Sequence, residues 1–221
     1  QLAQIANVLK QTADEKQFAE LAQKLRVSFN EKLLDKKRGV YFDGIGTDHT
    51  ALHSNMFPMA FGLVPEKHRE TVNKFIQSRG LACSVYGSQF LMDAVYGGNN
   101  ADYGLQLLTS TAERSWYNMI RVGSTISLEA WDNKYKPNQD WNHAWGAAPA
   151  NIIPAKLMGI EPLEPGFGKI RIKPQPASLG YAEIKCPTIR GEVHMSFKNK
   201  PQQSFSINLT IPSNTTAVVY L

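Results

Sequence analysis

The sequence predicts an α+β multidomain chain in which helical hairpins come first and an antiparallel β-sandwich follows. Three observations carry this. Apolar residues recur at helical spacing up to about residue 158. From Gly159 onward they recur at every second position. The change falls in GIEPLEPGFG, a Gly/Pro-rich linker. Helices first and strands second imply an α part docked on a β part. The domain limits expected are 1–158 and 159–221, the second truncated.

The helical part begins with Thr12-x-x-Glu15, a capping-box signature. After it, Phe18, Leu21, Leu25, Phe29 and Leu33 form an apolar stripe along one helix face. A second helix is expected over about 49–62. Pro65 opens the next at its first position and Arg79-Gly80 closes it. Helices over 87–96 and 101–110 are separated by Gly97-Gly98-Asn99-Asn100. The last, over about 142–158, contains Pro149 and Pro154 and is expected to be kinked or broken. Long connections at 35–48 and 121–141 alternate with short ones. In the second part Ile170 and Ile172 alternate with charged residues. So do Ala182, Ile184 and Cys186; Val193, Met195, Phe197 and Phe205, Ile207, Leu209, Ile211 continue the pattern. Each run reads as a strand with one buried face.

Composition narrows the function classes. Of 221 residues, 43% are hydrophobic and 19% charged, enough for a substantial core. The net charge of +5 is scattered, with no block of like charges, so no nucleic-acid partner is expected. No apolar run reaches the length of a membrane span. Cys83 and Cys186 lie far apart, without Cys/His metal spacing, and read as free buried thiols. No metal and no cofactor are expected. The first residues, QLAQIANVLK, enter mid-pattern without a targeting segment, as a fragment of a longer protein would.

The chemistry is concentrated in TISLEAWDNKYKPNQDWNHAWGAAP, residues 125–149. All four tryptophans fall within 116–145. A loop as long as 121–141 is functional or disordered, and its aromatic content argues against disorder. Indole faces beside carboxylates suit a sugar, whose C–H faces stack on rings while its hydroxyls meet polar groups. Each residue also has an ordinary reading. Trp116 reads equally as core, and Trp145, on a helix, reads as core. His143 could cap a helix or fill a niche; Asp132 and Asp140 could be solvated loop acids. Glu129 stands apart. It follows the apolar stretch Thr125–Leu128 and adjoins Trp131, a setting that can tune a carboxylate for acid/base chemistry.

At these residues the sequence resembles the bacterial α-L-rhamnosidases. GSTISLEAWD (123–132) resembles their Glu-x-Trp-Asp segment, and WNHAWGA (141–147) resembles their Asn-His segment. GIEPLEPGFGKIRIKPQP (159–176) resembles their passage into a C-terminal β-sandwich, and AFGLVPEKHRE a helix junction of the barrel. The resemblance implies the second half of an α/α toroid, a six-hairpin barrel, followed by an antiparallel β-sandwich. It implies hydrolysis of terminal α-L-rhamnosyl bonds with inversion by two carboxylates. Glu129 would be the general base, and the general acid would lie upstream of residue 1. Trp131, Asp132, His143, Trp116, Trp141 and Asn142 would bind the sugar. The partners implied are a rhamnose-containing oligosaccharide or glycoside and the N-terminal part of the same enzyme. The compartment implied is periplasmic or extracellular. Leu128 stands where the family commonly has tryptophan, a change expected in one wall of the sugar pocket. The alternatives are a non-catalytic carbohydrate-binding module of the same fold, and a toroid glycosidase or phosphorylase for another sugar.

Overall fold

A computed structural model describes residues 1–220. The helical part runs through α1 (Leu2–Val8), α2 (Thr12–Leu33), α3 (Leu52–Ala60), α4 (Glu66–Gln77), α5 (Gly87–Gly97), α6 (Ala101–Leu108), α7 (Trp116–Arg121) and α8 (Ala148–Ile152). Helix α3 packs on α5 and α5 on α8, while α4 and α6 pack outside them. Helix α5 is the centre of this arrangement. Leu91, Met92, Ala94, Val95 and Tyr96 are all buried, so it is apolar nearly all round. Helix α4 is amphipathic instead and buries only Val72 and Ile76.

Several expectations are corrected here. The capping box does not form: Gln11 precedes the first turn of α2 without a side-chain cap, and Glu15 accepts from Asn7 Nδ2 at 2.8 Å. The stripe on α2 buries no residue fully, and Leu21 and Leu25 are more than half exposed. The connection 35–48 holds a short hairpin, β1 (Leu34–Asp35) with β2 (Val40–Tyr41), turned by Gly39 at φ +74°. Helix α7 also went unpredicted. It is capped by Ser115 Oγ, which accepts from Asn118 N at 3.1 Å. The final helix is broken, as its prolines demand. A 3-10 turn at Ala144–Gly146 leads into α8, and a π turn at Ile153–Leu157 follows. Cys83 is buried, but Cys186 is only half-buried.

Strands begin at Ile160. One sheet has β3 (Ile160–Pro162), β4 (Lys169–Ile172) and β8 (Thr216–Val219). The other has β5 (Tyr181–Thr188), β6 (Gly191–Lys200) and β7 (Ser204–Thr210), antiparallel throughout. The β4–β8 pair is parallel, a departure from the uniform antiparallel expectation. Ile170, Ile172, Val193, Met195 and Phe197 are buried and belong to one apolar core with the helices. At the junction Glu161 accepts from Lys156 Nζ at 2.6 Å and pairs with Arg171. No helix among the described residues is long and apolar enough to cross a membrane.

Candidate active site

The loop between α7 and α8 is folded back on itself. Its arms, near residues 127–130 and 139–143, are tied together by short-range polar contacts. Glu129 N donates to Asp140 O at 3.1 Å, and His143 N donates to Ser127 O at 2.9 Å. Ser127 Oγ donates to His143 O at 2.7 Å, and Ala130 N to Gln139 Oε1 at 2.8 Å. Gly146 completes the fit: a Cβ there would stand 2.4 Å from Leu128 O. These contacts bring the segments carrying Glu129 and His143 side by side although 14 positions separate the two residues.

Behind the loop lies a frame. Trp131 is 3% exposed, stacks edge-on against Trp116 at 5.3 Å and donates its indole N–H to Cys83 O at 2.6 Å. Trp116 Nε1 donates to Gly146 O at 2.8 Å. Asn118 Nδ2 donates to Trp131 O and to Asp132 Oδ2, both at 2.9 Å. Trp131 is thus a structural ring rather than an open sugar platform, a correction to the expected pocket wall. Asp132 is spent on Asn118 and on the Lys134 N–H. Leu128 is fully buried, so the substitution at that position concerns the core of this chain.

Glu129 lies on the same loop, held by three donors. Glu129 Oε1 accepts from Tyr86 Oη at 3.0 Å and from Lys136 Nζ. Its Oε2 accepts from Asp140 N at 3.0 Å. The Lys136 ammonium, then the Asp140 N–H and the Tyr86 hydroxyl, hold the Glu129 carboxyl down at about 2. The same contact raises Lys136, and burial together with Glu129 raises Tyr86. The side chain of Glu129 is 14% exposed, enough to meet a bound molecule.

An aromatic cleft adjoins it. Tyr86 lies 5.2 Å from both His143 and Trp145, and His143 lies 6.0 Å from Trp145. Trp145 is 71% exposed, against its expected place in the core. A cavity of about 490 Å³ opens between Tyr86, Gln89, Phe90, Trp145, Ala148 and Asn151. Trp141 and Asn142 are exposed on the same loop. Of the residues expected to form a site, Glu129 and His143 both touch Tyr86, the first by a hydrogen bond and the second by ring packing; Trp116, Trp131 and Asp132 belong to the frame, and Trp141 and Asn142 are exposed.

Sequence reasoning missed Tyr86, Lys136 and the role of Trp145. Tyr86 is 43 positions from Glu129 and precedes α5, where no local pattern marks it. Lys136 sits in a polar stretch that reads as solvated loop. A carboxylate held ionised, with an aromatic face beside it and one oxygen only singly hydrogen-bonded, can accept a proton from a water set against a sugar.

Comparisons with known proteins identify the family and the fold. Residues 1–157 match the family described as the bacterial alpha-L-rhamnosidase 6 hairpin glycosidase domain. Residues 159–221 match the bacterial alpha-L-rhamnosidase C-terminal domain. An alpha-L-rhamnosidase of Alteromonas sp. (strain LOR) is 27% identical over 73% of this chain and 19% of its own length. The solved alpha-L-rhamnosidase of Dictyoglumus thermophilum superposes with a TM-score of 0.83 at 25% identity, over 98% of this chain and 25% of that one. That of Streptomyces avermitilis, complexed with L-rhamnose, superposes at 0.79 with 22% identity, over 98% and 22%. The chain thus spans about a fifth of the curated relative that it matches. With most of its length matched by one family model and the rest by its companion domain, the chain belongs to the bacterial α-L-rhamnosidase six-hairpin glycosidase family.

Proposed function

We propose that the intact protein carrying this chain hydrolyses terminal α-L-rhamnosyl bonds of oligosaccharides or glycosides with inversion, and that Glu129 is its general base. The observation that carries the reading is the Glu129 carboxylate, held ionised by three donors, one of which, Tyr86, lines the aromatic cleft. The base takes a proton from water as the water attacks the anomeric carbon. The bond to the leaving oxygen breaks, and that oxygen receives a proton from a carboxylic acid on the opposite face. The two carboxyl groups of such a pair stand roughly 6.5–9.5 Å apart to admit the water. The acid belongs to toroid hairpins outside residues 1–221. Trp145 and Tyr86 offer faces for the sugar's C–H groups, with His143 beside them.

Glu129→Gln in the intact protein keeps the shape and removes the base. Turnover of an aryl α-L-rhamnoside should fall roughly 10²–10⁴-fold with little change in KM. Proton NMR of the wild-type reaction should show the β anomer of rhamnose first. Near-normal turnover by the variant would remove Glu129 from the base role, and an initial α anomer would remove inversion.

A further inference from the structure

Glu129 carries more hydrogen bonds than a base needs, and they are distributed unevenly. Each carboxylate oxygen offers two lone-pair directions. On Oε1 both are taken, by Tyr86 Oη at 3.0 Å and by Lys136 Nζ. On Oε2 one is taken, by Asp140 N at 3.0 Å. Lys136 reaches Glu129 from the same loop that supplies the Asp140 amide, and its side chain is 43% exposed. The loop has a second, separate tether: Lys134 pairs with Glu113, and Tyr135 donates to the same carboxylate.

We propose that Lys136 is a positioning residue of the hydrolytic reaction: together with Tyr86 it saturates Oε1 of Glu129, so that Oε2 is the atom that takes the proton from water, and its ammonium supplies the positive charge beside the carboxylate. This rests on the reading of Glu129 as the base. The groups facing the carboxylate are Lys136 and Asp140 from the loop and Tyr86 from the start of α5, with His143 stacked on Tyr86. Lys136 is the only ammonium hydrogen-bonded to the carboxylate among the described residues, so its loss removes the positive charge closest to Glu129.

The sign follows directly. A base works only when ionised, so the acid limb of kcat/KM falls away as pH drops through the Glu129 pKa. Lys136 lowers that pKa, so its loss moves the limb to higher pH. Removing one close opposite charge should shift it by roughly 1–3 pH units.

The test uses the intact protein with Lys136→Met, Lys136→Arg and Lys134→Met. Protonation of Glu129 is read without reference to activity: carbodiimide couples to protonated carboxyls, and mass spectrometry localises the label. In Lys136→Met the labelling midpoint at Glu129 should rise by roughly 1–3 pH units. Lys136→Arg should restore it, and Lys134→Met, which cuts only the other tether, should leave it in place. An unmoved midpoint in Lys136→Met, or an equal shift in Lys134→Met, overturns the proposal. The acid limb of kcat/KM is the second readout. A limb that moves with the midpoint supports both the hold of Lys136 and the base role. A midpoint that moves while the limb stays supports the hold and removes Glu129 as base.

Discussion

The four tryptophans do different work at the residue scale, and a pair of substitutions separates them. Trp131 is almost wholly buried and donates to Cys83 O at 2.6 Å. Trp131→Phe leaves that carbonyl without its partner, which costs about 1–3 kcal/mol, before counting the void beside Trp116. Thermal unfolding of the intact protein should therefore come earlier. Trp145 is mostly exposed and gives its N–H to no protein acceptor among the described residues. Trp145→Ala should change stability by less than about 0.5 kcal/mol but raise KM for rhamnosides, through loss of a stacking face. The reverse outcome, a stability loss at 145 and a binding loss at 131, would exchange the roles of the two rings. A tryptophan-rich segment beside acids marks a site in sequence. It does not say which ring faces the ligand, because that depends on partners such as Cys83, far away in the chain. The same limit hid Tyr86 and Lys136, whose importance lies only in where they meet Glu129.

Glycine and proline made much of the architecture legible at the element scale. Pro65 and Gly80 bracket α4, and Pro149 and Pro154 break the last helical stretch where their missing donors forbid an unbroken ladder. The period-two pattern found the strands because each buries one face. It could not find the parallel β4–β8 pairing, since alternation is blind to a strand's partner. The β1–β2 hairpin and α7 were hidden for another reason. Two-residue strands and a six-residue helix are shorter than any repeating pattern, although Ser115, three positions before Asn118, was a readable cap. The junction between helices and strands depends on Gly159. Its φ is +74°, and a Cβ there would lie 2.0 Å from Lys173 O. Gly159→Ala should cost about 1–3 kcal/mol from backbone strain, with the clash adding to it. Gly97→Ala is the contrast. Nothing lies within 4 Å of a Cβ at that helical position, so stability should hold or rise by less than about 1 kcal/mol. Differential scanning calorimetry of both variants checks the pair; equal effects would show that the junction tolerates a side chain.

At the scale of the whole molecule, one surface is left apolar. Leu2, Ile5, Val8 and Leu9 on and just after α1, with Leu21 and Leu25 on α2, are each more than half exposed. Helix α2 has helical spacing of its apolar residues but no fully buried residue: Phe29 and Leu33 are half-buried against the core, while Leu21 and Leu25 face outward. Leu21, Leu25, Phe29, Leu33 and Ile45 line an open groove of about 450 Å³ along it. Lys24, Ser28 and Lys32 interrupt the groove, but exposed leucines and isoleucines gathered in this way still mark a region that meets other protein. The relatives supply a reason: this chain matches 25% and 22% of two solved α-L-rhamnosidases, and a toroid closes only when every hairpin has two neighbours. The 221-residue polypeptide produced alone should therefore bind a dye such as ANS and associate as its concentration rises. It should hydrolyse no aryl rhamnoside, because Glu129 would lack a protonated partner across the sugar. Leu21→Lys with Leu25→Lys should reduce that association. In the intact protein the same pair should lower the unfolding temperature if neighbouring hairpins cover Leu21 and Leu25 there. Sedimentation and dye binding decide the matter: a monomer that binds no dye, or a double variant that leaves the intact protein as stable as before, would mean that the α2 face is an ordinary solvated surface.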